Sequence, residues 1–123
     1  MVSAVGDVAP NDPSGLVAGF ADATGRHLPL VCTLNGAPVL ASTASMLGVD
    51  LAEFARLAMS AEPGAGGVTM VPYFAGERSP NLPDATGTLT GLTAANFTPA
   101  AIARAAVEGL VSSLVFCRER IEQ

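Results

Sequence analysis

From Thr98 to Ile121 the chain contains nothing that stops a helix, and this stretch limits what the rest can be. Thr98 can cap a helix start, Pro99 falls at the first helical position, where its missing N–H has no partner to lose, and Phe97 and Ile102 stand at hydrophobic-staple spacing. The run predicts a helix of about 24 residues and roughly 36 Å, the full width of a small domain. Val107, Leu110, Leu114, Cys117 and Ile121 form an apolar stripe along it. Beside that stripe lies a face of small residues, Ala105, Ala106, Gly109, Ser112 and Ser113, which suits close approach by a neighbouring strand or helix.

Shorter elements precede it. Met1 to Val5 reads as a strand entering a loop, because Gly6 to Gly15 is a run of turn formers. Leu16 to Ala23 is ambiguous, since Gly19 interrupts it, while Leu28 to Leu34 reads as a strand ended by Asn35-Gly36. A helix is predicted from Ala37 to Leu47, with Pro38 in its first turn and Gly48 closing it. Asp50 and Glu53 have capping-box spacing for a second helix, on which Leu51, Phe54, Ala55 and Ala58 share a face. After the break at residues 62–67, Val68 to Phe74 reads as a strand demoted toward a sheet edge by Pro72; Gly76 to Gly87 is a loop and Thr88 to Leu92 is β-like. The order β, α, α, β, β, α is an α/β class without internal repeats.

Half of the residues are apolar and 14% charged, more apolar than a small domain needs to solvate its surface. That excess predicts faces meant to be covered, and hence self-association of the isolated chain. The net charge of −5, with six arginines and no lysine, gives a nucleic-acid backbone little to grip. Cys32 and Cys117 both lie inside apolar runs and read as buried thiols, which points to a reducing, cytoplasmic compartment. No basic-then-apolar leader is present, and no stretch reads as the roughly 18 apolar residues of a membrane span, so no membrane partner is expected.

Generic catalytic patterns are absent: there is no CxxC, HExxH, GxSxG, Walker lysine loop or GxGxxG, and the single histidine, His27, has no second ligand beside it, so no metal site is expected. Asp7, Asp12, Asp22, Asp50 and Asp84 all sit in loop-like or cap-like contexts, and none stands out as a general base. A different pattern does stand out. Pro72-Tyr-x-x-Gly-Glu-Arg-x-Pro80, then Gly87-x-Leu-x-Gly-Leu92, then a helix carrying Ala105-Ala-Val-Glu108, resembles the FGGY carbohydrate kinases in order and spacing. Ala101 departs from the family, which usually opens that helix with a polar or acidic residue. The wording from Gly76 to Gly87 is closest to xylulokinases, and the similarity reaches back through Asp12–Phe20 and Leu28–Asn35.

The resemblance implies an actin-like (ribonuclease H-like) ATPase fold, of which residues 1–123 would be part of the C-terminal, nucleotide-binding domain. It implies ATP and Mg2+ as cofactors and a ketose as substrate; kinases for ribulose, gluconate or glycerol are the alternatives, as is a non-catalytic binding or oligomerisation module. The family's catalytic aspartate and its two glycine-rich nucleotide loops lie outside this sequence, so the chain alone is expected to be inactive and to need the missing N-terminal domain and the rest of its own. What the resemblance leaves here is a wall of the adenosine pocket at Asn35, Gly36, Ala37 and Val39, where exposed N–H groups at a helix start let a ligand come close. Glu77 and Arg78 would pair with each other or with a neighbouring domain. Gly87 and Gly91 would serve turn or close-packing geometry, and Glu108 would pair with Arg104 or anchor a neighbouring loop.

Overall fold

The structure is a computed structural model describing residues 1–122. In chain order its elements are β1 (Val2–Ser3), β2 (Val17–Ala21), β3 (His27–Val31), α1 (Ala37–Leu47), α2 (Leu51–Ser60), a 3-10 turn at Ala65–Gly67, β4 (Thr69–Val71), β5 (Thr88–Thr90) and α3 (Pro99–Ile121). The strands form two antiparallel sheets, one ordered β1-β3-β2 and one pairing β4 with β5.

The ambiguous segment is a strand. β2 pairs with β3 from Val17↔Val31 to Ala21↔His27, across a turn in which the Asp22 carboxylate accepts the backbone N–H groups of Thr24 (2.9 Å) and Arg26 (2.8 Å). Gly19 does not break this strand, because Pro10 packs against it: a Cβ there would lie 3.2 Å from the proline ring. Asp12 organises the approach to β2, accepting from the N–H groups of Ser14, Leu16 and Val17 and from the Ser14 hydroxyl at 2.6–2.9 Å. These bonds, the Ser14 hydroxyl's foremost, hold the Asp12 carboxyl at about 2 instead of 3.8. A group with a depressed folded value stabilises above its unfolded value and ceases to as pH falls through the folded one. The order of residues 12–17 is therefore expected to fade as pH falls from about 4 to about 2, read as rising amide exchange at Val17, and Asp12→Asn is expected to remove that dependence.

α1 has the expected bounds, and Gly48 closes it with its N–H on the Ala44 and Ser45 carbonyls. α2 departs from expectation twice. Asp50 caps it, accepting the Glu53 N–H at 2.8 Å, but the Glu53 carboxylate does not return the bond: two charge-assisted contacts from the Arg56 guanidinium, at 2.7 and 2.6 Å, take it instead. Of the predicted face only Phe54 and Ala58 are buried, while Leu51 is 61% exposed and Ala55 is exposed too. The β4 strand is also shorter than Val68–Phe74, stopping at Val71 because Pro72 has no N–H to continue the ladder.

α3 is the spine. Thr98 caps it through the Ala101 N–H (3.2 Å), but Phe97 stays 64% exposed, so the staple contact contributes little. The core forms on alanines: Ala105 and Ala106 of the small-residue face, with Ala101 and Ala103, are buried against Val39, Ala44, Phe54, Ala58, Val68 and Met70, while Gly109 and Ser113 of that face are half-buried and Ser112 is exposed. Of the apolar stripe only Cys117 is buried; Val107, Leu110, Leu114 and Ile121 are half-buried. The reason is distance, since a stretch made mostly of alanine lets α2 and β4 pack close. α3 is, contrary to expectation, long and apolar enough to cross a membrane, with 23 residues and a mean hydropathy of 1.6 over its most apolar 18-residue window. Its contacts with α1, α2, β3 and β4 make it a core helix of this domain.

Gly109 shows how close the approach is. A Cβ there would lie 2.3 Å from the Met70 carbonyl oxygen of β4. Helix propensity alone favours Gly109→Ala by about 1 kcal/mol, whereas forcing a methyl into a packed contact costs about 1–3 kcal/mol. Because the obstructing atom is backbone, the second effect is expected to win, with a net loss of up to about 2 kcal/mol in urea unfolding.

Candidate functional site

Residues 35–39 turn out to face two ways. Asn35 and Val39 are buried, while Ala37 and Pro38 are exposed and Gly36 half-exposed. The Asn35 side chain points inward, its Nδ2 donating to the Gly76 carbonyl (2.6 Å) and to the Glu77 carboxylate (3.0 Å). Outward, the helix start has little to donate. Gly36 caps without a side-chain bond, Pro38 has no N–H, and the Val39 N–H turns back to the Gly36 carbonyl at 2.9 Å. Of the first three helical residues, that leaves the Ala37 N–H. Such an N-terminus is a poor cradle for several phosphate oxygens but an open, small-residued surface for an uncharged part of a ligand.

That surface continues along the helix. Ala41, Ser42, Ser45 and Met46 are exposed, Met46 by 63%, opposite the buried Val39, Thr43 and Ala44. The sequence reading did not select these residues, although Pro38, Ala41, Ser42 and Ser45 recur at helical spacing as small side chains on one face.

Glu77 is 1% exposed. Its carboxylate accepts the Leu34 N–H (2.7 Å), Asn35 Nδ2 (3.0 Å) and the Arg78 N–H (2.8 Å). Its backbone closes a small ring with Leu82, N–H to carbonyl in both directions at 2.8 and 2.9 Å. Burial pushes its pKa up, but the hydrogen bonds from Asn35, Leu34, Arg78 and Ser79 together outweigh it and hold the carboxyl below the ordinary glutamate value. Of the two pairings expected for Glu77 and Arg78, the one with each other is not formed: Arg78 gives Glu77 its backbone N–H, and its exposed guanidinium has no side-chain partner among the described residues. An acceptor whose two oxygens already receive N–H groups has no need of a cation.

The remaining residues hold the frame around this centre. A Cβ on Gly87 would lie 2.2 Å from the Phe74 ring, and one on Gly91 2.1 Å from the Gly67 carbonyl. Glu108 Oε1 accepts from Arg104 Nε at 2.6 Å and from the Gly64 N–H at 3.0 Å, so one carboxylate joins α3 to the loop before β4. Beside it a groove runs between β4 and α3, lined by Val71, Tyr73, Gly109, Ser112 and Phe116. Asp12, Asp22 and Asp50 are tied into turns and a cap, and no group of His, Cys, Asp or Glu among the described residues could hold a metal ion. Cys32 and Cys117 are free thiols, the second buried and its pKa pushed up by that burial.

Residues 4–123 match the FGGY family of carbohydrate kinases, C-terminal domain. The chain is 46% identical over 112 residues to a xylulose kinase of Streptomyces coelicolor, covering 91% of this chain and 21% of that protein. It is 46% identical over 114 residues to a xylulose kinase of Streptomyces rubiginosus, covering 93% and 22%. Among solved structures it is similar to xylulose kinase from Bifidobacterium adolescentis, with a TM-score of 0.90, 50% identity and coverage of 98% of this chain and 24% of that one. It is also similar to gluconate kinase from Lactobacillus acidophilus, with a TM-score of 0.83, 25% identity and coverage of 97% and 25%. The chain thus spans about a fifth to a quarter of the length of the relatives it matches.

Proposed function

The chain belongs to the FGGY family of carbohydrate kinases, and from that premise we propose that it forms part of the nucleotide-facing half of an ATP-dependent kinase for a ketose, D-xylulose before ribulose, gluconate or glycerol. The observation that carries the nucleotide role is the start and outer face of α1, where Gly36, Ala37 and Pro38 lead onto Ala41, Ser42 and Ser45, with Met46 the one large side chain and no charged one among them. A flat base lies close to such a surface, and a single N–H at Ala37 orients it. The same scarcity of donors assigns the phosphates elsewhere. Phosphoryl transfer rests on positioned phosphates, a metal ion and a group that takes the proton of the attacking hydroxyl. No group of three or more His, Cys, Asp or Glu gathers among the described residues, and this reading gives this part of the protein a wall for ATP, with the transfer itself assigned elsewhere.

The preference for xylulose rests on the identity to kinases bearing that name, and the cytoplasm, where ATP is abundant, is the compartment this reading assigns. Residues 1–123 alone are read as inactive and self-associating, because Val8, Met59, Leu51 and Phe20 leave apolar surface uncovered. The test is a kinase assay on the longer protein carrying these residues, with ATP and a panel of D-xylulose, D-ribulose, gluconate and glycerol. Phosphorylation of xylulose with the highest kcat/KM supports the reading, and turnover of none of the four ends it. Within that assay, Ala37→Leu is expected to raise the KM for ATP and leave that for the sugar unchanged; an unchanged ATP KM removes α1 from the nucleotide site.

A further inference from the structure

We propose that Glu77 is a positioning residue for the nucleotide-facing start of α1, acting through Leu34 and Asn35; the inference rests on reading α1 as the wall for ATP. Beyond Pro38 in the first turn, little local chemistry fixes where this helix begins. Gly36 provides no side-chain cap, no acidic residue lies in the first turn, and Pro38 removes a donor. The two residues just before the cap are held from a distance instead, Leu34 through its N–H and Asn35 through its Nδ2, both on one carboxylate about forty residues further along the chain.

That carboxylate is itself immobile. The Glu77 backbone is doubly bonded to Leu82, its Oε1 also takes the Arg78 N–H, and a Cβ on the preceding Gly76 would lie 2.2 Å from the Pro83 carbonyl, so the loop has no slack. Asn35 closes the arrangement by donating to the Gly76 carbonyl as well. Residues 76–83 thus form a rigid bracket, and Glu77 is the point at which it grips the chain entering α1. The chemistry needs a carboxylate in particular. Both oxygens accept, so an amide of the same shape would turn an N–H pair toward Leu34 or Asn35, donor against donor. A base stacked on α1 and an N–H at Ala37 tolerate little displacement, since a misplacement of about 1 Å can cost a hundredfold in rate.

The experiment uses the longer, active protein with Glu77→Gln, Asn35→Ala and the double variant, measuring kcat, both KM values, the ATP dissociation constant and thermal melting. The expected result is a rise of about tenfold in the ATP KM and dissociation constant for each single variant, with the sugar KM within about twofold of wild type. The double variant is expected to be no worse than the poorer single one, because both break the same grip. Lowered melting with unchanged ATP affinity in both single variants would make Glu77 merely structural and overturn the inference. If Glu77→Gln does not fold, Asn35→Ala decides alone by the same readout. If Ala37→Leu raises the ATP KM while Glu77→Gln and Asn35→Ala do not, this inference falls and the reading of α1 stands; if Ala37→Leu changes nothing, both fall.

Discussion

Glu77→Ala is expected to destabilise the intact protein by about 4 kcal/mol, a loss large enough to halve the margin of an ordinary domain. The figure follows from the donors left behind. The carboxylate accepts from Leu34, Asn35 and Arg78, and a buried donor deprived of its partner costs about 1–3 kcal/mol. The sum is not the maximum, because Leu34 and Arg78 sit at exposed positions, where water can reach a freed N–H, whereas the amide of Asn35, 4% exposed, cannot be rescued in that way. Urea unfolding at neutral pH reads the loss as a lower midpoint at unchanged slope. The pH dependence supplies an internal control. Since the folded pKa of Glu77 is lowered, its contribution is complete above the unfolded glutamate value of about 4.3 and is lost as pH falls through the folded value. The gap between wild type and Glu77→Ala should therefore narrow on acidification. A gap that stays constant would mean the substitution acts through a cavity and not through the carboxylate.

The contrast between Glu77 and the helices shows what the amino-acid sequence makes legible. α1 and α3 were readable to within a residue because their signals are local: Pro38 in the first turn, Gly48 after the last residue, Thr98 before Pro99. β2 was not, since the acceptability of Gly19 depends on Pro10 packing across it. Periodicity marks an apolar stripe and a small-residue face beside it on α3, but how deeply each is buried depends on α2 and β4, which approach the alanines and leave Val107, Leu110 and Leu114 half-buried. The Asp50–Glu53 spacing promised a reciprocal cap, but spacing is blind to Arg56 on the next turn. The family wording from Pro72 to Pro80 marks Glu77 and Arg78 as notable, for pairing with each other or with a neighbouring domain. The partners that satisfy Glu77 are Leu34 and Asn35, more than forty positions away, and no pattern in one sequence encodes that contact. The same distance explains why Asn35 was placed facing a ligand when its amide faces the interior.

Gly91→Ala is expected to cost a further-reaching 3–5 kcal/mol, and its value lies in being separable into parts. Gly91 has φ +76, a left-handed backbone that costs a side chain about 1–2 kcal/mol. The second part is contact: the added Cβ would lie 2.1 Å from the Gly67 carbonyl oxygen, with no flexible side chain to give way. Relieving it means moving the 66–67 turn away from Gly91, and Asn96 ties those segments together, its Nδ2 donating to the Gly66 carbonyl at 3.0 Å and to the Gly91 carbonyl at 2.8 Å. Separation would stretch or break at least one of these bonds, at about 1 kcal/mol each. Gly48 isolates the first part, for it has φ +70 and nothing within 4 Å of an added Cβ. Gly48→Ala should therefore cost about 1–2 kcal/mol, the strain alone, and Gly91→Ala more than twice that in the same urea titration. Equal losses would mean that the 66–67 turn yields without resistance, and that β4 and β5 are held together by their ladder rather than by the Asn96 clasp. With the larger loss, Asn96→Ala in the Gly91→Ala background should cost less than Asn96→Ala alone, because the clasp it removes would already be open.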